Sequence, residues 1–198
     1  MEETGRPPRR TPAAEERKLD AERSRRLLLD AALEEFAAKG YAGARVQDIA
    51  DRAGVNKQLI SYYFGGKQGL YECLKRQWLE REAEFNRPDI PFDELIVRYL
   101  EATLADPRGT RLLTWQGLAD TDAPAWEDDL ADIRQRQARG DIGDDLDPGV
   151  VLLLCLAAVS APVVMPQKVR GILGLEPDSE EFRELYTEQL RRIMRRLA

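Results

Sequence analysis

A chain of 198 residues with 43% hydrophobic side chains can bury a sizeable core, yet its 36 acidic against 30 basic residues give a net charge of −6 that excludes a general nucleic-acid coat. The sequence holds no histidine, which removes Ser-His-Asp and Cys-His catalysis, histidine metal ligands and the commonest general acid or base. Its two cysteines, Cys73 and Cys155, match neither a metal spacing nor a disulfide framework and suit a reducing compartment.

Residues 1–20 mix Arg, Pro, Glu and Thr with few large apolar groups, so a mobile basic arm is expected there. Arg6, Arg9 and Arg10 lie among prolines with no apolar run, so neither a secretory signal nor an anchor is expected there. From Ala21 a helix is predicted: Leu28, Ala31, Ala32, Leu33 and Phe36 recur at helical steps, and Gly40 ends it. A short helix over 46–53 places Val46, Ile49, Ala50 and Ala53 on one face. Gly54 supplies a sharp turn, Val55 fills the crevice between helices, and Asn56 caps a helix over 57–64 that Gly65 and Gly66 end. Lys67 opens a longer helix carrying Leu70, Tyr71, Leu74, Trp78 and Leu79.

Further helices are predicted over 92–105, 107–119, 124–138, 148–164 and 179–197, with Pro or Gly at nearly every junction. The apolar run over 150–165 falls short of the roughly 20 residues a membrane helix needs, so it reads as a buried helix, and a cytoplasmic protein without membrane contact is expected. With no strand-like alternation, the expected fold class is all-α. With no histidine and no paired acids that stand apart, neither an enzyme nor a bound metal or cofactor is expected. Charge is uneven: residues 1–87 carry 17 Lys/Arg against 15 Asp/Glu, whereas 88–198 carry 13 against 21, so only the first part suits phosphate.

Two short helices joined by a glycine turn are the arrangement in which a second helix enters the DNA major groove. Asn56, Lys57 and Gln58 open that helix, and Asn, Gln and Lys can meet adenine edges, guanine or phosphate. Taken alone, the same pattern also serves as plain packing in a helical interaction module or a helical enzyme.

The run RVQDIADRAGVNKQLISYYFGGKQGLYECL, with its Ile-Ala pair, Ala-Gly-Val, aromatic-Phe ending and Lys three residues later, resembles the DNA-binding segment of the tetracycline-repressor (TetR/AcrR) family. Phe36, Gly40 and Tyr41 upstream fit as well, and the recognisable motif covers residues 25–74. Beyond the basic arm expected over 1–20, the resemblance implies a helix-turn-helix domain over 21–66 and a helical effector-binding and dimerisation domain over 67–198. It implies a dimeric repressor of a palindromic operator, released by a small molecule of unknown identity.

Carried over by position, Ile49, Ala50, Ala53, Val55, Ile60 and Phe64 form the core of the reading domain. Lys57, Gln58 and Leu59 face bases, with Asn56 and Gln47 beside them; Tyr62, Tyr63 and Lys67 position the DNA backbone. Arg45 stands where many members have a capping threonine, and Ser61 where many have tyrosine; both remain DNA contacts in this reading. The resemblance also implies dimerisation through the last two predicted helices. Tyr99, Thr103, Trp115, Leu118, Trp126, Ile133 and Cys155 are the candidate lining of an effector pocket, each also explicable as ordinary core.

Overall fold

The structure is a computed structural model in which residues 14–118 and 130–197 are described. Every regular element among them is helical, in the order α1 (Ala14–Gly43), α2 (Val46–Ala53), α3 (Gln58–Phe64), α4 (Lys67–Phe85), α5 (Phe92–Ala105), α6 (Arg108–Leu118), α7 (Ala131–Arg139), α8 (Pro148–Val164), α9 (Pro166–Leu173) and α10 (Glu180–Met194). The fold is all-α, as expected.

Two hydrophobic cores organise these helices. The first gathers Leu28, Ala32 and Phe36 of α1, Ile49 and Ala50 of α2, Ile60 of α3, and Leu70, Tyr71 and Cys73 of α4. Phe36, Tyr41 and Tyr71 close on one another, with ring centroids 5.1–5.8 Å apart, where edge contacts add to plain burial. Leu112 of α6 is buried in this core too, although most of α4 and all of α5 lie between it and Leu70 along the chain. The second core joins Phe92, Ile96 and Leu100 of α5, Ile133 of α7, Val151 and Cys155 of α8, and Leu190 and Met194 of α10.

The single fully buried charge, among the described residues, is the guanidinium of Arg136. Its Nε donates to Asp132 at 2.9 Å and its Nη1 to the Ile90 carbonyl at 2.8 Å, so it locks the α4–α5 connection onto α7 with its donors paired.

Three elements differ from expectation. α1 begins at Ala14 rather than Ala21, so residues 14–20 of the expected arm are helical, as the helix propensities of Ala, Glu, Lys, Arg and Leu favour. Residues 1–13 lie outside the described residues, as does the start of the helix predicted over 124–138; α7 is its described part. α9 went unpredicted because Pro166 reads as a stop, whereas proline fits equally the first turn of a helix; α9 turns 88° away from α8.

The expectation that 148–164 is a buried helix is corrected as well. Val151, Cys155 and Pro162 face inward, but Val150, Leu153, Leu154 and Leu156 are exposed, with nothing among the described residues covering that side. No single helix among the described residues is long and apolar enough to cross a membrane.

Candidate nucleic-acid interface

The frame of the interface is the α2–turn–α3 unit held on α1. Glu35, nearly buried on α1, takes the Lys39 ammonium at 2.6 Å and the Arg52 guanidinium at 2.9 Å, and Lys39 also reaches Asp48 at 2.9 Å. Lys39, joined by Arg52, holds the Glu35 carboxyl below the usual carboxylate range in spite of its burial. α2 is thereby pinned to α1 at both of its ends. Gly54 then adopts φ 66°, ψ 30°, a left-handed conformation that side-chain-bearing residues rarely take, and its N–H returns to the end of α2. Val55 packs against the first core just beyond the turn.

α3 begins at Gln58 with Lys57 in its N-cap position, one residue later than predicted; Asn56 still ties down the first turn, its Oδ1 accepting the Gln58 N–H at 2.8 Å, which leaves the amide nitrogen for an outside partner. Lys57, Gln58, Ser61 and Tyr62 are exposed, and their spacing of one, four and five residues puts them on one side of α3. Leu59 and Tyr63, expected among the contacts, turn partly inward against the first core. Tyr62 is 80% exposed, with its ring edge-on to Tyr63 at 5.0 Å. Phe64 is half-buried rather than fully inward, and the Arg25 guanidinium covers its ring at 5.3 Å.

At the rim, Arg45 occupies the N-cap position of α2 with no side-chain cap bond, leaving an exposed guanidinium at the helix start. Gln47 spends its amide on Asp51 at 2.7 Å along α2. Lys67 opens α4; its Nζ donates to the Ala42 carbonyl at 3.2 Å and stands 4.5 Å from the centre of the Tyr41 ring. This places a cation at a helix N-terminus, where unpaired N–H groups already favour an anion.

Gly69, which sequence reasoning passed over, makes that placement possible. A Cβ there would lie 1.6 Å from the Phe64 carbonyl oxygen, so only glycine lets the first turn of α4 approach the end of α3. Its one sequence signal is a glycine inside an otherwise regular helical pattern.

The candidate pocket residues divide. Tyr99, Ile133 and Cys155 come together in the second core. The Tyr99 hydroxyl donates to the Glu82 carboxylate and accepts from the Asn86 amide at 3.1 Å, a polar bridge between α4 and α5. Burial raises the pKa of both Tyr99 and Glu82, and pushes the Cys155 thiol up to about 11. Thr103 is half-buried on α5.

Trp115 lies apart from these: its indole N–H donates to the Ala37 carbonyl at 3.2 Å, in the seam between α6 and α1. Leu118, at the end of α6, is 78% exposed, and Trp126 lies outside the described residues. A cleft of about 440 Å³ opens elsewhere, between α1, α4 and α6, where Leu29, Leu33 and Leu74 are bordered by Arg26, Glu84 and Arg108.

Known proteins share this arrangement. Residues 28–74 match the family described as bacterial regulatory proteins, tetR family, and residues 91–192 match the tetracyclin repressor-like C-terminal domain. The HTH-type transcriptional repressor SCO4008 of Streptomyces coelicolor is 31% identical over 188 residues, covering 89% of this chain and 98% of its own. The HTH-type transcriptional regulator RutR of Escherichia coli is 34% identical over 113 residues, 54% of this chain and 52% of RutR. Among solved structures, that of SCO4942 from Streptomyces coelicolor, described as a transcriptional regulator, aligns with a TM-score of 0.67 at 25% identity over 86% of this chain and 97% of that one. FadR from Bacillus subtilis, solved with stearoyl-CoA, shares the fold at a TM-score of 0.54 and 17% identity, over 83% of this chain and 96% of that one.

Proposed function

The chain belongs to the tetR family of bacterial regulatory proteins, which its two matched segments and a relative aligned along nearly its whole length establish, and from that premise we propose how it acts: as a homodimer on a two-fold operator in the cytoplasm, a repressor that a small molecule removes. The observation that carries the proposal is the outward face of α3, where Lys57, Gln58, Ser61 and Tyr62 stand free of the core that fixes the helix.

Lys57 and Gln58, on the leading turn, suit base edges, while Ser61, Tyr62, Arg45 and Lys67 suit phosphate. Leu59 and Tyr63 support the face from behind, and Gln47 and the Asn56 amide nitrogen flank it.

One such face reads a short half-site, so two copies are required, about 34–36 Å apart along one duplex turn. The outward leucines of α8, with Leu185 and Ile193 exposed on α10, supply apolar surface suited to a second copy. An effector would enter the second core near Tyr99, Ile133 and Cys155, with Thr103 one turn from Tyr99 on α5 as a further candidate contact; Trp115 and Leu118, away from that core, are not among its contacts. α4 is suited to transmit the event. It carries Lys67 at one end and Glu82, bonded to Tyr99, near the other, a helix of about 28 Å at 1.5 Å per residue. Only a ligand with unequal affinity for the two head separations can shift the population off the operator.

The test is a footprint and a mobility shift on DNA flanking the protein's own gene. Specific binding that weakens steeply with salt is expected; its absence on every such duplex overturns the proposal.

A further inference from the structure

The seam between the two cores contains a joint that none of the roles above uses. Arg108, Leu112 and Trp115 lie on one side of α6, and each meets α1 or the core it anchors. Arg108 Nη1 donates to Asp30 at 2.7 Å and Glu34 at 3.0 Å, while Trp115 reaches the Ala37 carbonyl seven residues further on, so α6 runs alongside α1 in the same direction. Arg108 Nε and Nη2 meanwhile hold both oxygens of Asp106, the residue that ends α5, at 2.8 and 2.9 Å.

One guanidinium thus binds three carboxylates, two from the first helix of the DNA-facing unit and one from the end of a helix whose Leu100 is buried in the second core. Solvent-reached ion pairs add little to stability, and this one borders the open cleft between α1, α4 and α6. A planar fork does, however, fix geometry, because its donors satisfy three acceptors in one orientation only.

We propose that Arg108 is a positioning residue for operator binding: its grip on Asp30, Glu34 and Asp106 sets the angle at which the second domain carries α1, and with it the separation of the two recognition helices in the dimer. This rests on the DNA-binding reading above. A small rotation at the joint is magnified at α3, and a dimer that reads two half-sites tolerates little error in their separation.

The test begins with a duplex that the wild-type protein selects from a randomised pool, rebuilt with one or two base pairs inserted or removed at its centre. Dissociation constants come from fluorescence anisotropy for the wild type, Arg108→Gln, Arg108→Lys, and Asp30→Asn combined with Glu34→Gln. The wild type should prefer the selected spacing by about tenfold or more, as expected for a reader of two fixed half-sites. Arg108→Gln and the double variant should cut that preference to about threefold or less, with an unchanged salt dependence because no phosphate contact is lost. Arg108→Lys, which keeps the charge without the fork, should recover part of the preference.

Equal spacing preference in all four proteins overturns the proposal, because a side chain that merely aids folding lowers affinity for every duplex alike. If Arg108→Gln fails to fold, the double variant decides, since Asp30 and Glu34 are 67% and 44% exposed on α1. A wild type that selects no duplex overturns the function proposed above, and this inference with it.

Discussion

Around the first core, Leu28, Phe36, Ile49, Ile60 and Leu70 have no exposed surface, and the helix on its rim, α3, turns Lys57, Gln58, Ser61 and Tyr62 outward. Around the second, Leu100 and Ile142 are nearly as deep, but the rim helix α8 turns Val150, Leu153, Leu154 and Leu156 outward. Both rims leave side chains uncovered by the described residues, and the chemistry left over differs: donors, a cation and a phenol suit a hydrated polyanion, whereas four aliphatic side chains suit a dry surface like themselves. What a helix fails to bury is therefore the better guide to its partner.

The hardest test of that difference is to make the two rims alike. Leu153→Glu with Leu154→Glu places two charges on a face whose residues are 66% and 55% exposed in the single chain. The monomer should keep its fold, while sedimentation should show loss of the dimer and operator affinity should fall by about 100-fold or more, because one head reads one half-site. A double variant that remains dimeric would remove α8 from the interface.

The next test compares neighbours on α3. Ile60 has no exposed surface and Tyr62 is 80% exposed. Ile60→Ala should cost about 3 kcal/mol of stability by thermal or chemical unfolding, from lost burial and the cavity it leaves. Tyr62→Ala should change stability by less than about 0.5 kcal/mol while weakening operator binding. If the two substitutions cost equal stability, the division of α3 into a core side and a reading side fails. Milder still, Lys67→Gln at the start of α4 should weaken binding about tenfold and lower the slope of log affinity against log salt by about 1, the signature of a lost phosphate contact. An unchanged slope would remove Lys67 from the phosphate contacts.

The first core was legible in the sequence because its signals are local. Ile49, Ala50 and Ile60 follow helical spacing, Gly54 marks a turn that needs positive φ, and Asn56 sits where the first turn of α3 needs an acceptor; the structure places each accordingly. Spacing alone did not separate the two sides of α3 at Leu59 and Tyr63, because their orientation depends on how the helix leans on α1 and α4.

The seam was not legible at all. Arg108 meets partners 74 and 78 positions away, and nothing near Asp30 or Glu34 distinguishes them from solvated charges. Gly69 likewise answers to the carbonyl of Phe64 in the preceding helix. For the expected pocket, aromatic content brought Tyr99 into the second core but also drew in Trp115, whose real neighbour is α1.

The smallest expected effect separates two carboxylates that lie at these boundaries. Asp106, at the seam, is held below its ordinary value of 3.8 by Arg108, so its contribution to stability is present above that value and fades as pH falls through the lower folded-state value. Glu82, on the second core's edge, is raised above its ordinary value of 4.5 by burial, so its contribution is full below 4.5 and is lost as pH rises through the higher folded-state value. Acid thus loosens the seam while it favours the bridge to Tyr99. Melting temperature followed from pH 3 to 7 should show both signs. Glu82→Gln, which keeps an acceptor for the Tyr99 hydroxyl, should lessen the decline above pH 4.5, and Asp106→Asn should lessen the decline towards acid, to which Glu35 and Glu94, also lowered by their cations, contribute as well, each a change of about 1–3 °C for a chain of this size. If Glu82→Gln instead steepens the decline above pH 4.5, the Glu82 carboxylate is stabilised by its neighbours rather than penalised by burial, and the bridge between α4 and α5 has the same electrostatic character as the joint at Arg108.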